Sequence, residues 1–151
     1  MTVESWFGCE VPSDLLYDVE RHVWVRLESG EAVIGMTDVS QTMCGRFVQV
    51  TWKKLGKTVA RGRSLAVVES AKWVGPVPAP LSGVLLANNE VAFAADVAIA
   101  NREPYSEGWL VRIEPTNLDA ELGDLLDGEK AFDYYRTFIE EHEIRCFRCE
   151  D

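Results

Sequence analysis

The chain has no apolar run approaching the roughly 20 residues a bilayer-crossing helix requires, although 47% of its 151 residues are hydrophobic. Nor has it a surplus of positive charge: 15 Lys and Arg stand against 25 Asp and Glu, a formal net charge of −10. That deficit excludes nucleic acid as the expected partner, because a polyanion is held by a basic face. The first residues, Met1-Thr2-Val3-Glu4-Ser5-Trp6, lack the basic and then continuously apolar stretches of a secretory signal, so a cytoplasmic address is expected. Cysteine is scarce too. Four of them (Cys9, Cys44, Cys146, Cys149) in a chain of this length do not make the framework of a small secreted disulfide protein. There is no low-complexity segment. What is left is an acidic globular chain, one domain by length and long enough to bury a real core. Its acidity serves solubility and offers a second use, steering the molecule into basic mouths of partner proteins.

The centre of the chain reads as β structure. Apolar residues alternate in His22-Val23-Trp24-Val25-Arg26-Leu27 and in Arg46-Phe47-Val48-Gln49-Val50-Thr51-Trp52. Turns such as Glu28-Ser29-Gly30-Glu31 and Lys54-Leu55-Gly56-Lys57 separate such runs. Period two with frequent breaks predicts a small β-sandwich or flattened barrel from His22 to Ile113. Thr37 to Gly45 has the capping residue and the stop glycine of a short helix. Glu90 to Ile99 is expected to hold a helical turn or an irregular loop. Gly108 to Glu114 reads as a strand with Trp109, Val111 and Ile113 on one side, and Asp119 to Leu126 as short helical turns interrupted by Gly123. Beyond Glu129 the spacing of Phe132, Tyr135, Phe138, Ile139 and His142 predicts a helix laid back on the sheet. Val11-Pro12-Ser13-Asp14 reads as a turn or helix start. The expected organisation is an N-terminal arm over 1–16, a β domain over 17–128, and a C-terminal helix with a Cys-containing extension over 129–151.

Lys72 is the residue that stands out. It lies in Glu69-Ser70-Ala71-Lys72, after the apolar run Leu65-Ala66-Val67-Val68, and Gly83 follows eleven residues later. That pattern is a β-hairpin with a lysine at its tip, one amine held out on an exposed turn. The segment from Gly62 to Lys72, followed by Ala79-Pro80-Leu81-Ser82-Gly83, resembles the lipoyl-lysine hairpin of the glycine-cleavage H proteins. His22 to Arg26 and Ile34 to Gln41 are similar to that family's opening strands and first short helix, and Asn101 to Leu110 to its other strong signature. The four motifs come in order and cover residues 15 to 133.

The resemblance implies a mainly β, lipoyl-domain-like flattened β-barrel or sandwich (a barrel-sandwich hybrid) with a short internal helix and C-terminal helices, the lipoyl carrier domain being residues 17–128. It implies lipoate in amide linkage to Lys72, no catalysis by this chain alone, and a swinging arm. A free lysine is a solvated ammonium with a pKa of about 10.4; acylation removes its charge and carries a dithiolane out from the surface, where the cofactor does the chemistry and the domain presents it. Biotin carriers use a hairpin lysine too, but with Met on both sides, and here the neighbours are Ala71 and Trp73. Glu69 is read as a mark for the attaching enzyme or a solvated charge, and Ser70 and Ala71 as small residues that keep the turn uncrowded. Trp73 and Gly75-Pro76 depart from the family, which has a small residue at the first position and acidic residues or serine at the others. Trp73 is expected as core at the start of the return strand, with a shield for the arm's base or a partner contact as the other readings.

Two cargoes are compatible with such an arm. One is sulfur, as in divergent H-like lipoate-binding proteins that serve heterodisulfide-reductase-like complexes in sulfur oxidation. The altered residues after Lys72, the extra cysteines and the C-terminal extension tilt the reading that way. The other is the aminomethyl group of glycine cleavage. The partners implied are a lipoate-attaching enzyme, then either a heterodisulfide-reductase-like complex with dihydrolipoyl dehydrogenase or the glycine-cleavage enzymes, acting on a monomer. A third reading is an unmodified H-like binding module.

His22 is a conceivable acid or base, its ordinary pKa being about 6.5, but its place before Trp24 favours a structural role. Cys44 reads as a small buried hydrophobe, and Cys9 cannot be interpreted alone. Cys146-Phe147-Arg148-Cys149 is the sharper pattern. It reads as a plain tail, as a redox or sulfur-carrying dithiol that Arg145 and Arg148 would push toward thiolate, or as part of a metal site with His142 and Cys9. No metal is expected. If the pair lies past the last packed turn, its removal should leave the fold intact.

Overall fold

A computed structural model describes residues 2–148. The chain opens with a hairpin, β1 (Val3–Trp6) and β2 (Cys9–Pro12), and continues through β3 (Leu16–Asp18), β4 (Val23–Glu28) and β5 (Glu31–Met36) to a helix, α1 (Asp38–Cys44). Then come β6 (Phe47–Trp52), β7 (Thr58–Val59), β8 (Ser64–Ser70), β9 (Val74–Pro78) and β10 (Gly83–Asn88). Two short helices, α2 (Glu90–Ala95) and α3 (Ile99–Arg102), lead to β11 (Val111–Pro115). Helix α4 (Leu118–Glu121), a 3₁₀ turn at Leu122–Asp124 and the long helix α5 (Gly128–Glu141) complete the order.

Strands β3-β4-β5-β11-β10-β7 form one six-stranded antiparallel sheet and β6-β8-β9 a second of three strands. The main core lies between them. It takes Val23 and Val25 from β4, Ala32, Ile34 and Met36 from β5, Phe47 from β6, and Leu65 and Val68 from the hairpin strand β8. Alternation places the intervening residues Trp24 and Val33 on the opposite face of the larger sheet. There they meet a second core of Cys9, Val11, Leu15, Tyr17, Ala131, Tyr135 and Ile139. The central strands are thus buried on both faces, which explains why Val23-Trp24-Val25 is continuously apolar.

The architecture is the mainly β one expected, with three refinements. The N-terminal segment is a hairpin whose Cys9 and Val11 are buried; Val11-Pro12 ends its second strand and Ser13-Asp14 makes the turn, one of the two expectations for this stretch, with no helix starting there. The buried stripe of α5 is Ala131, Tyr135 and Ile139, spaced by four, with Phe132 and Phe138 at its margins. The chain after α5 also returns to the body. Cys146 is buried and forms a disulfide with Cys9, so it is neither part of a plain tail nor one half of a free dithiol; Cys149 lies outside the described residues. The place assigned to Cys146, past the last packed turn, is corrected with it: the N-terminal hairpin supplies a partner that no pattern around Cys146 discloses.

Helix α1 is short and closely held. The Thr37 side chain caps it by accepting the Ser40 N–H, at 3.2 Å. Its buried Asp38 accepts from the Glu10 N–H (2.9 Å), from Gln41 Nε2 (2.8 Å) and from the Arg148 guanidinium (3.1 Å). Arg148 also binds Glu10 Oε1 (2.8 Å) and the Arg102 carbonyl (2.7 Å). The C-terminal segment therefore anchors the start of α1, whose other end reaches the lysine hairpin. Among the described residues no helix is long and apolar enough to cross a membrane.

Candidate functional site

The hairpin tip is Ala71-Lys72-Trp73, between β8 and β9. Glu69 pairs with Val74 across it, and the Ser70 N–H donates to the Trp73 carbonyl at 2.7 Å. Ser70, the buried member of the turn, donates its hydroxyl to the Cys44 carbonyl (2.5 Å) and accepts the Lys72 N–H (3.4 Å). One serine thus fastens the hairpin tip to the last turn of α1. Strand β9 carries Pro76 and Pro78, which a sheet tolerates because β9 is an edge strand.

Lys72 is exposed, and its amine makes no ion pair or hydrogen bond among the described residues. Its methylene stem has a definite seat. Gly45, which ends α1 at φ +85°, lies beneath it, and a Cβ there would stand 3.0 Å from Lys72 Cε. Gly45 therefore meets two demands, a positive-φ backbone at the helix end that glycine tolerates and room for the stem. Its carbonyl accepts from Asn101 Nδ2 at 3.0 Å, while Asn101 Oδ1 accepts the Phe47 N–H at 2.9 Å and the same amide nitrogen reaches Gln41 Oε1 at 3.1 Å. Asn101 is 0% exposed. This buried amide joins α1, α3 and the start of β6, and so fixes the floor on which Lys72 rests.

Beside that floor runs a groove of about 370 Å³ between the hairpin, α1 and the β3–β4 turn; Met43, Cys44, Trp73, Pro76 and His22 are among its walls. Its lining is mainly hydrocarbon and sulfur, which suits an apolar guest. Trp73 is 41% exposed, so it is a wall of this groove and not the core residue expected from sequence. The family departures at Trp73 and Pro76 both face the same space. Cys44 is the free thiol here, buried. Burial pushes it up to about 11, against the lowering effects of Ser40 and of the Lys72 charge, so it stays protonated at neutral pH and is a poor nucleophile.

His22 touches the far side of the groove, but its ring belongs to the α5 aromatic cluster. Nδ1 lies 3.1 Å from the Tyr135 hydroxyl, and the Phe138 ring centroid is 5.0 Å away. Its carbonyl accepts from the Thr37 N–H and hydroxyl at 3.1 and 3.3 Å. These contacts make it a structural residue, in line with the reading from sequence. Cys146 and Cys9 lie at the opposite end of α1 from Lys72, linked to it through Arg148 and Asp38 and not brought into the groove. Sequence reasoning located Lys72 and the residues next to it in the chain. It missed Gly45 as a seat, Asn101 as the anchor and Met43 as a wall, because each contributes through a contact distant in sequence.

The model of a family described as glycine cleavage H-protein matches residues 15–138. The chain is 39% identical over 145 residues to a protein named glycine cleavage system H protein 2 from Aquifex aeolicus, a match covering 95% of this chain and 89% of that one. A probable glycine cleavage system H protein 2 of Saccharolobus solfataricus is 41% identical over 151 residues, with 98% and 99% coverage. Among solved structures, a glycine cleavage system H protein from Mycobacterium marinum superposes with a TM-score of 0.71 at 30% identity, over 83% of this chain and 98% of that one.

Proposed function

Since the chain belongs to the glycine cleavage H-protein family, whose members are non-catalytic lipoyl carriers, we propose that Lys72 is its lipoylated residue. The single observation that carries this is an exposed, unpaired amine at a hairpin tip, its stem seated on Gly45 beside an apolar groove. When bound, the group supplies a disulfide that opens to a dithiol able to carry a substituent. Everything else is supplied by the chain. Ser70 fixes the turn against α1, the Asn101 amide fixes the floor, and Ala71 leaves the attaching enzyme room. Glu69, exposed on β8, is the side chain that enzyme would meet next to the turn. The groove gives the arm a resting place out of water, which a carrier of a hydrolysable cargo needs. The carrier unit is residues 17–128, and the N-terminal hairpin and the described part of the C-terminal segment brace it from behind.

The cargo we propose is the aminomethyl group of glycine cleavage, and the partners are the other enzymes of that system. The names of the relatives support this reading. A second reading, sulfur carried for a heterodisulfide-reductase-like complex with dihydrolipoyl dehydrogenase, is favoured by Trp73 and Pro76 in the groove wall, where H proteins have small or acidic residues.

Co-expression with a lipoate ligase, followed by intact-mass measurement, should give one lipoyl adduct that Lys72→Arg abolishes. An adduct on another lysine, or none, would defeat the assignment. Lipoylated protein should then support glycine–bicarbonate exchange with glycine decarboxylase; failure to do so transfers the cargo to the sulfur reading.

A further inference from the structure

Gly75 and Trp73 are built for one another. A Cβ on Gly75 would lie 2.5 Å from Trp73 Cζ2, 2.8 Å from Cη2 and 3.2 Å from Cε2. The indole therefore lies flat across the Gly75 backbone, and any larger residue there would force it to move. The backbone angle at Gly75 is an ordinary one, since it is absent from the glycines with positive φ. Its missing side chain serves the tryptophan and no turn. At the other end, the Trp73 carbonyl is tied to Ser70 by the 2.7 Å bond from its N–H and by a 3.4 Å contact from its hydroxyl. The ring is thus placed at both its backbone and its face, immediately next to Lys72, with one side toward the groove.

Resting on the reading of Lys72 as the lipoylated residue, we propose that Trp73 is the positioning residue that holds the dithiolane in the groove, through contact between the ring's sulfurs and the indole. Polarisable divalent sulfur packs favourably against aromatic rings. The Lys72 stem lies over Gly45, and the two residues before Gly45, Met43 and Cys44, line the groove together with Trp73. An arm laid from Lys72 into the groove would have the indole and the α1 thiol and thioether among its walls. Cys44 is protonated and buried, so it offers the disulfide an inert neighbour. Trp73 thereby sets how often the dithiolane is sheltered and how often it is offered to a partner or a reductant.

The test compares wild type, Trp73→Phe and Gly75→Ala, each lipoylated and each checked by intact mass. The readouts are indole fluorescence and the rate at which a small phosphine reduces the dithiolane. In the wild type, lipoylation should quench part of the emission, and reduction should restore it, because a disulfide in contact with an indole quenches it. Trp73→Phe should show no lipoylation-dependent quenching. Gly75→Ala, which keeps the tryptophan but displaces it, should lose the quenching too, and its dithiolane should be reduced about two- to tenfold faster, the range a sulfur–aromatic contact carries. Adduct present with wild-type emission unchanged, or equal quenching in Trp73→Phe, overturns this inference and leaves the carrier reading standing. Absence of the adduct overturns both.

Discussion

His22 shows how a single side chain couples this fold to pH. Burial, the largest influence, holds its imidazole below the ordinary value, with His142 adding to the effect and Asp18 opposing it. The unfolded chain therefore takes up the proton first as pH falls. Stability is undiminished above the ordinary value of about 6.5 and declines through it, levelling off only below the depressed folded value. His22→Asn, which suits the positive φ of 59° at this position, should flatten that decline. Urea midpoints between about pH 7.5 and 5 will show it as a shallower slope than the wild type. An identical slope would mean that another group governs the acid limb.

Among the elements, α1 is the one that joins everything to the lysine. Its start is tied to Arg148 through Asp38, and its end to Lys72 through Gly45 and Ser70. Asn101→Ala would strip the Phe47 N–H of its acceptor and the Gly45 carbonyl and Gln41 amide of their donor. Buried groups left unpaired cost about 1–3 kcal/mol each. With some relaxation, a net loss of about 3 kcal/mol in denaturant stability is expected, together with a changed chemical environment at the Lys72 methylenes. The same element marks the limit of what the sequence discloses. Thr37, Gly45 and the Lys72 hairpin are legible because caps, stops and turns are local chemistry. The α5 helix is legible with Tyr135 and Ile139 on its buried face, and Ala131 in place of Phe132 departs from the expected stripe, since periodicity fixes spacing more firmly than phase. Trp73 was misplaced because a tryptophan opening a strand has the signature of core, and only Gly75 two residues on shows where the ring lies. Asn101 sits 56 residues from the Gly45 it serves, and nothing in its own neighbourhood announces the partner.

At the scale of the molecule, two cores share one sheet, and the second is closed by the Cys9–Cys146 bond across 137 residues. A cross-link spanning so long a segment restricts the unfolded chain strongly, about 5 kcal/mol by its chain entropy. Cys9→Ser with Cys146→Ser should lower the thermal midpoint by many degrees, and reduction of the wild type should bring it to the same value. A double variant that melts with the oxidised wild type would show that the second core stands without it. Removing Arg148 is expected to cost about 3 kcal/mol by leaving the Asp38 carboxylate uncompensated. In combination with the cysteine changes it should cost less than the sum, because both detach the same C-terminal segment from the start of α1.

Joining position 9 to position 146 turns most of the polypeptide into a covalent ring. A protease that cuts an exposed bend, such as Ser29-Gly30 between β4 and β5, would open the ring without producing a separable fragment. Fresh ends could be engineered at that bend while the old ones stay tethered through sulfur. Electrophoresis of nicked material would show one band without thiol and two with it.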